Sequence, residues 1–191
     1  MLVCKTCNYH MWALRHIRRL LPLDVERALA CCIVGARLDY CNSVLYGAPT
    51  SSIQKLQRVQ NSLVRVVLRM SHARRYPLLR SLHWLPVSQR IELKVAPLTY
   101  KIYSTSRPAY LHSLLSNGIS EPTATLWSAS RPLLHVPRTR TVYGSRTFSI
   151  AAPTLWNSLP ADITNTAPVT AFRNRLKTFL FRYTSSGCSA E

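Results

Sequence analysis

The sequence predicts a mainly α fold, a helical domain carrying a small β-hairpin element in its third quarter. Three observations lead there. Apolar residues recur at helical spacing over 25–36, 51–70, 88–102 and 169–183. Stop and turn residues (Gly47 with Pro49, Asn117 with Gly118) separate these stretches. Only between Leu133 and Ile150 does the apolar period shorten to two. A length of 191 residues with 47% hydrophobic residues suits one domain over 1–183 with a core of its own, followed by a frayed tail over 184–191.

Taken in order, Asp24 can cap a helix starting at Val25, with Val25, Leu29, Cys32, Ile33 and Ala36 on its core side and Cys31 and Val34 on a second buried side. The next helix is capped by Ser51 or Ser52 and reaches about Met70. Its apolar stripe is Ile53, Leu56, Leu63, Val67 and Met70; Lys55, Arg58, Arg65 and Arg69 fall about 200° away, on the opposite face. After a Pro-bounded link, Ser88 can cap a helix through Ile91, Leu93, Val95, Leu98 and Ile102. Pro97 stands inside it, and an interior proline costs roughly 3 kcal/mol, so a kink or break is expected. A short helix spans Ala109 to Leu115, and 119–130 reads as irregular loop. The hairpin places Leu134, Val136, Val142, Phe148 and Ile150 on alternate sites around a Tyr143-Gly144 turn. Ala151 to Pro160 is a Pro-bounded aromatic segment around Trp156. The last helix, from Val169 to about Tyr183, has Phe172, Leu176, Phe179 and Leu180 as core and Arg173, Arg175, Lys177 and Arg182 as flanks.

Charge is the strongest functional signal. The 25 Lys and Arg outnumber seven acids, for a net charge of +18 and a pI near 10.5, a balance that seeks polyanions. The acids are Asp24, Glu26, Asp39, Glu92, Glu121, Asp162 and Glu191, with no adjacent pair. Metal-dependent phosphoryl chemistry needs two or three converging carboxylates, and this chain offers almost none. No acid falls between Ser51 and Gln89, so the cations there have no local partners and the positive potential centres on the second quarter. That tract, Lys55, Arg58, Arg65, Arg69, Arg74, Arg75 and Arg80, is the candidate nucleic-acid-binding set. Tyr76, Trp84, Tyr100 and Tyr103 lie just downstream, able to stack on bases or to serve as core.

Other candidates are weaker. Cys4, Cys7 and His10 are suitable zinc ligand types but lack a separated second pair, so packing cysteines before a helix is the preferred reading and no metal or cofactor is expected. His72, His83, His112 and His135 stand apart, with no nucleophile paired to them, and five isolated glycines supply no phosphate loop. Cys31, Cys32 and Cys41 sit in apolar helical sequence as small hydrophobes. With no secretory signal at 1–21, where Arg and His interrupt the apolar residues, an intracellular, cytoplasmic or nuclear location is expected. The longest small or apolar run, Ala28 to Ala36, is far short of the ~20 residues a membrane span needs.

Five tracts in order carry a family resemblance. They are Arg37-Leu-Asp-Tyr-Cys-Asn-Ser-Val-Leu-Tyr-Gly47, Leu56-Gln-Arg-Val-Gln-Asn61, Leu82-His-Trp-Leu-Pro-Val87, Val136-Pro-Arg-Thr-Arg140 and Ala151-Ala-Pro-Thr-Leu-Trp-Asn-Ser-Leu-Pro160. Together, from about Cys4 to Tyr183, they resemble the C-terminal, thumb-side region that follows the polymerase core in reverse transcriptases of non-LTR (LINE-type) retrotransposons, jockey, CR1 and L2-like elements above all. The resemblance implies that the polymerase aspartates and the endonuclease precede this region, so no catalytic residue carries over to it. Pro97 and a short stretch between Met70 and Leu79 depart from the family pattern.

The expected function is therefore non-catalytic, sequence-independent binding of template or primer RNA or DNA by its backbone. No small-molecule substrate and no membrane partner is expected. If about four to seven cations engage, the log–log salt slope would be roughly −3 to −6. The alternatives are a structural docking segment, whose first 45 residues cover an upstream polymerase core, and a non-functional remnant of a mobile element.

Overall fold

The computed structural model describes residues 2–70, 75–116 and 133–186, and of residues 75–77, 116 and 183–186 the backbone alone. The fold is mainly helical, and no strand occurs among the described residues. Where the length suggested one domain, the chain divides into two compact units. The first holds 1–42 and 48–90, the second 43–47 and 91–191.

The first unit is built on α4, Thr50–Leu68, whose buried Leu56, Val59, Gln60, Leu63, Val64, Val66 and Val67 give it a wide inner face. Against it packs α1, Leu2–Ile17, through Cys7, Met11 and Leu14, which recur at i, i+4, i+7. The cysteines expected to precede a helix thus lie within one. Next comes α2, Leu23–Leu29, which runs through a π-helical segment, Ala30–Gly35, into α3, Ala36–Asp39. The buried side chains here are Glu26, Ala30, Val34 and Leu38, a four-residue repeat, with Gly35 buried beside Val34. In an α-helix such a repeat drifts around the axis; widening the turn with π geometry brings it back to one side. This corrects the sequence reading, which took Val25, Leu29, Cys32, Ile33 and Ala36 as the core stripe. Val25, Cys32 and Ala36 are exposed, and of the second side proposed, Val34 is buried but Cys31 is not. Beyond α4, α5 (Arg75–Ser81) adds Leu78 and Leu79 to Val64, with Leu68, Leu82 and Trp84 packed around them.

Helix starts differ from expectation in one consistent way. Pro22 and Pro49, rather than Asp24 and Ser51 or Ser52, occupy the N-cap positions, and neither helix start gains a side-chain cap bond. The restricted φ of proline sets the entry instead. Two helix ends share one device. At Arg69 and at His83 the backbone turns left-handed (φ 55° at each). Met70 N–H then reaches back to the Arg65 carbonyl at 3.1 Å, and Trp84 N–H to that of Leu79 at 2.9 Å. These are Schellman closures with non-glycine residues at the left-handed site.

The long helix α6, Val87–Thr105, starts in the first unit and continues in the second. It runs through Pro97 as one helix, so of the kink or break expected there the break does not occur. Its core side is Ile91, Val95, Ala96, Thr99 and Ile102, with Leu98 left 40% exposed. In the second unit, Ile102 joins Leu115 of α7 (Ala109–Ser116) and Ala152 of α8 (Phe148–Ser158) in a buried cluster. Tyr100 stacks on Phe172 at 4.6 Å between ring centres, and Trp156 and Tyr103 extend the aromatic group. Phe172, Leu176 and Leu180 of α10, Val169–Ser186, are buried as the sequence pattern predicts. The helix runs past Tyr183, so the first three residues of the expected tail are helical. Between α8 and α10 lies the single turn α9, Ala161–Thr164. Arg175 of α10 holds it, donating to the Asp162 carbonyl at 3.2 Å and to Thr166 Oγ1 at 3.0 Å.

The expected hairpin is absent. Gly144–Arg146 forms a 3-10 turn, and Phe148 and Ile150 belong to α8. The alternating pattern has another use: Leu134 is buried, and Asn157 of α8 brackets its backbone. Leu134 N–H donates to Asn157 Oδ1 at 2.9 Å, and Asn157 Nδ2 donates to the Leu134 carbonyl at 2.7 Å. One side-chain amide thus fills the place of a neighbouring strand. The loop expected over 119–130 lies outside the described residues.

Candidate nucleic-acid interface

Helix α4 determines where the basic tract points. Because Leu56, Leu63 and Val67 are buried, Lys55, Arg58 and Arg65 are left exposed on the opposite side. At about 100° per residue these three fall within a sector of about 80°, and at 1.5 Å per residue they span about 15 Å. That length matches the rise of about four nucleotides of one strand. Arg80, at the end of α5, is also exposed. Arg74 lies outside the described residues, and of Arg75 only the backbone is described.

Arg69 behaves differently. Its Nε and Nη2 donate to Glu26 Oε2 at 3.3 and 3.2 Å, and Nη2 also reaches the carbonyls of Arg18 at 2.8 Å and Leu21 at 3.4 Å. Glu26 is fully buried, and its Oε1 has no partner among the described residues. Sequence distance hid this pair: no acid lies near Arg69 in the chain, but α2 carries one to it. Arg69 is therefore a structural cation tying α4 to α2. A second long-range pair joins Arg90 to Asp39.

Three of the four aromatics placed beside the tract pack within the fold, although Tyr103 stays 41% exposed; of Tyr76 only the backbone is described. Trp84 packs on the Val64, Leu78 and Leu79 cluster, while Tyr100 and Tyr103 join Trp156 and Phe172. Cys7 is buried, Cys4 and His10 are partly exposed, and all three ride on α1. Among the described residues no group of three His, Cys, Asp or Glu side chains is arranged to hold a metal ion. Cys31, Cys32 and Cys41 are exposed free thiols rather than packed hydrophobes. No helix among the described residues is long and apolar enough to cross a membrane.

Residues that sequence reasoning passed over explain two of the quoted tracts. In Leu56-Gln-Arg-Val-Gln-Asn61, Gln60 is fully buried and its Nε2 donates to the Leu85 carbonyl at 2.8 Å. Gln57 Oε1 accepts the Val87 N–H at 2.9 Å, and its Nε2 reaches Gln60 Oε1 and Asn61 Oδ1. The second tract therefore grips the third, Leu82 to Val87, by its backbone, and Gln57 satisfies the first N–H of α6. The signal was present: Gln60 sits four residues after Leu56 and three before Leu63, a polar residue inside an apolar stripe.

No family model matches the chain, and no curated protein or solved structure matches it either.

Proposed function

We propose that the chain is a non-catalytic C-terminal portion of a reverse transcriptase of the non-LTR retrotransposon type, and that it binds template or primer nucleic acid through phosphate contacts. The observation that carries the binding reading is the cationic side of α4. Lys55, Arg58 and Arg65 stand exposed in one sector of a helix whose other side is core, with no acid from Ser51 to Gln89 to neutralise them. Arg80, with Arg74 and Arg75, extends the set; Arg69 is excluded by its pairing with Glu26. Such a surface tracks a backbone and reads no sequence.

The test exchanges Lys55, Arg58 and Arg65 together for Gln and measures RNA and DNA binding beside a thermal melt. Lost binding with an unchanged melt supports the reading; unchanged binding removes it. Primer extension by this chain alone should give no product.

A second reading is docking onto an upstream polymerase core, and one feature favours it. Leu2, Tyr9, Trp12 and Leu20 are 79, 67, 58 and 85% exposed. Leu2 also lines, with Val3, Cys32, Ile33, Ala36 and Tyr40 and the polar Thr6 and Arg37, an open groove of about 570 Å³. An apolar surface of this kind suits a protein partner. Under this reading the triple Gln variant keeps its nucleic-acid affinity, while Trp12→Ser weakens association with the core.

A further inference from the structure

We propose that the second unit carries a binding site of its own for single-stranded nucleic acid, on the turn from Pro137 to Thr147, where Tyr143 stacks on an unpaired base and Arg138 and Arg140 contact the flanking phosphates. This deepens the nucleic-acid reading above and rests on it. Tyr143 and Val142 are 80% and 70% exposed at the tip of this turn, and Arg138 and Arg140 are exposed beside them in the chain. The sequence has no acid from Pro122 to Ala161, so nothing local neutralises these cations.

The turn is built to hold its tip still. Gly144 N–H donates to Thr141 Oγ1 at 3.0 Å, Ser145 Oγ to the Val142 carbonyl at 2.7 Å, and Thr147 Oγ1 to the Gly144 carbonyl at 2.7 Å. Backbone bonds from Ser145 to Thr141 and from Arg146 to Tyr143 close it further. A Cβ on Gly144 would lie 2.8 Å from Thr141 Oγ1 and 3.3 Å from Thr139, so the two threonines pack directly on the bare glycine. Arg146 places its guanidinium 5.3 Å from the centre of the Tyr143 ring. A cation over one face fixes the ring and leaves the other face to solvent.

A ring held open to water by a rigid turn is of no use to this unit's core, where Tyr100, Trp156 and Phe172 already pack together. It does suit a base. Stacking needs a planar partner and an aromatic whose ordering has been completed before binding, and neighbouring arginines supply the phosphate contacts. A duplex hides its bases within the stack, so the partner is a single strand. An acidic polypeptide would satisfy the arginines and leave Tyr143 without a planar partner.

The test uses the full chain and its Tyr143→Ala, Tyr143→Phe and Arg138→Gln/Arg140→Gln variants. Fluorescence anisotropy measures binding to a short oligothymidylate and to an abasic strand of equal length. Tyr143→Ala should weaken oligothymidylate binding about 5- to 100-fold and leave the abasic strand unaffected. Tyr143→Phe should retain affinity for both, and the double arginine variant should weaken both. For the Tyr143 variants the abasic strand also reports folding, and a thermal melt does so for the double arginine variant. Unchanged affinity of Tyr143→Ala for oligothymidylate, or equal weakening on both strands, overturns the proposal while leaving the α4 surface standing. The same Tyr143 dependence on poly-glutamate would point to an acidic polypeptide and overturn it too. Failure of the wild-type chain to bind either strand overturns both readings.

Discussion

Arg58 and Arg69 carry the same charge on either side of the same basic tract, yet their surroundings give them opposite work. Arg58 is exposed on α4, whereas Arg69 follows its last turn and neutralises a fully buried carboxylate. Removing one partner of a buried pair leaves a bare charge in the interior, but half of the Arg69 side chain is in water, which screens the loss. Arg69→Gln is therefore expected to cost about 2–3 kcal/mol in urea unfolding, and Arg58→Gln no more than about 0.5 kcal/mol. Equal costs would contradict the structural role of Arg69. Glu92 supplies a pH test. Burial lifts its carboxyl above the ordinary carboxylate range, and burial followed by the charge of Glu92 pushes the Tyr46 phenol up. The folded chain thus holds the Glu92 proton more tightly than the unfolded chain does. The stability it contributes is complete below the unfolded value, about 4.3, and is lost as pH rises through the raised folded value. Glu92→Gln cannot ionise, so its stability profile should lack that decline, and the Tyr46 phenol should titrate lower in ultraviolet difference spectra.

Elements in this protein are joined by side-chain amides gripping backbone. Gln57 and Gln60 fasten α4 to the entry of α6, and Asn157 fastens α8 to Leu134. Leaving a buried backbone group without its partner costs about 1–3 kcal/mol. Gln60→Leu, which nearly preserves volume but leaves the Leu85 carbonyl unpaired, should fall in that range by chemical denaturation. Asn157→Ala loses both bonds to Leu134 and should cost about 1–3 kcal/mol in the same measurement. A cost near zero would deny the two-bond clamp. Pro97 makes a different case. It sits inside a helix that continues through it, and its missing N–H leaves the Leu93 carbonyl without its helical donor. Pro97→Ala should restore that bond and raise stability by about 1–2 kcal/mol.

Across the whole molecule, a net charge of +18 makes any binding to nucleic acid a matter of counterion release. With Arg69 withdrawn, about four to six cations of the tract can engage, so the log–log salt slope should be about −3 to −5. A slope near zero would remove phosphate binding altogether. The charge is shared between the two units, with 14 Lys and Arg against three acids in the first and 11 against four in the second. Each unit therefore has a positive surface to offer.

Period and punctuation located several of the helices, though not α1 or α8. Leu56, Leu63 and Val67 of α4, the short helix at Ala109 and Phe172, Leu176 and Leu180 of α10 follow from residue spacing, because a helix repeats every 3.6 residues whatever it packs against. Met70, assigned to the same stripe as Leu56, lies beyond α4 and is 46% exposed. The exposed side of α4, with Lys55, Arg58 and Arg65, was legible for the same reason. Tertiary structure decided what spacing leaves open. Burial of Glu26 rather than Val25 depended on a π segment, which has no local signature, and Arg69 took its partner from 43 residues away in the chain. Alternating residues at 134–150 read as a hairpin, yet Phe148 and Ile150 join α8, and at Leu134 Asn157 supplies the hydrogen bonds of a strand, since an extended chain needs satisfied backbone groups and is indifferent to what satisfies them.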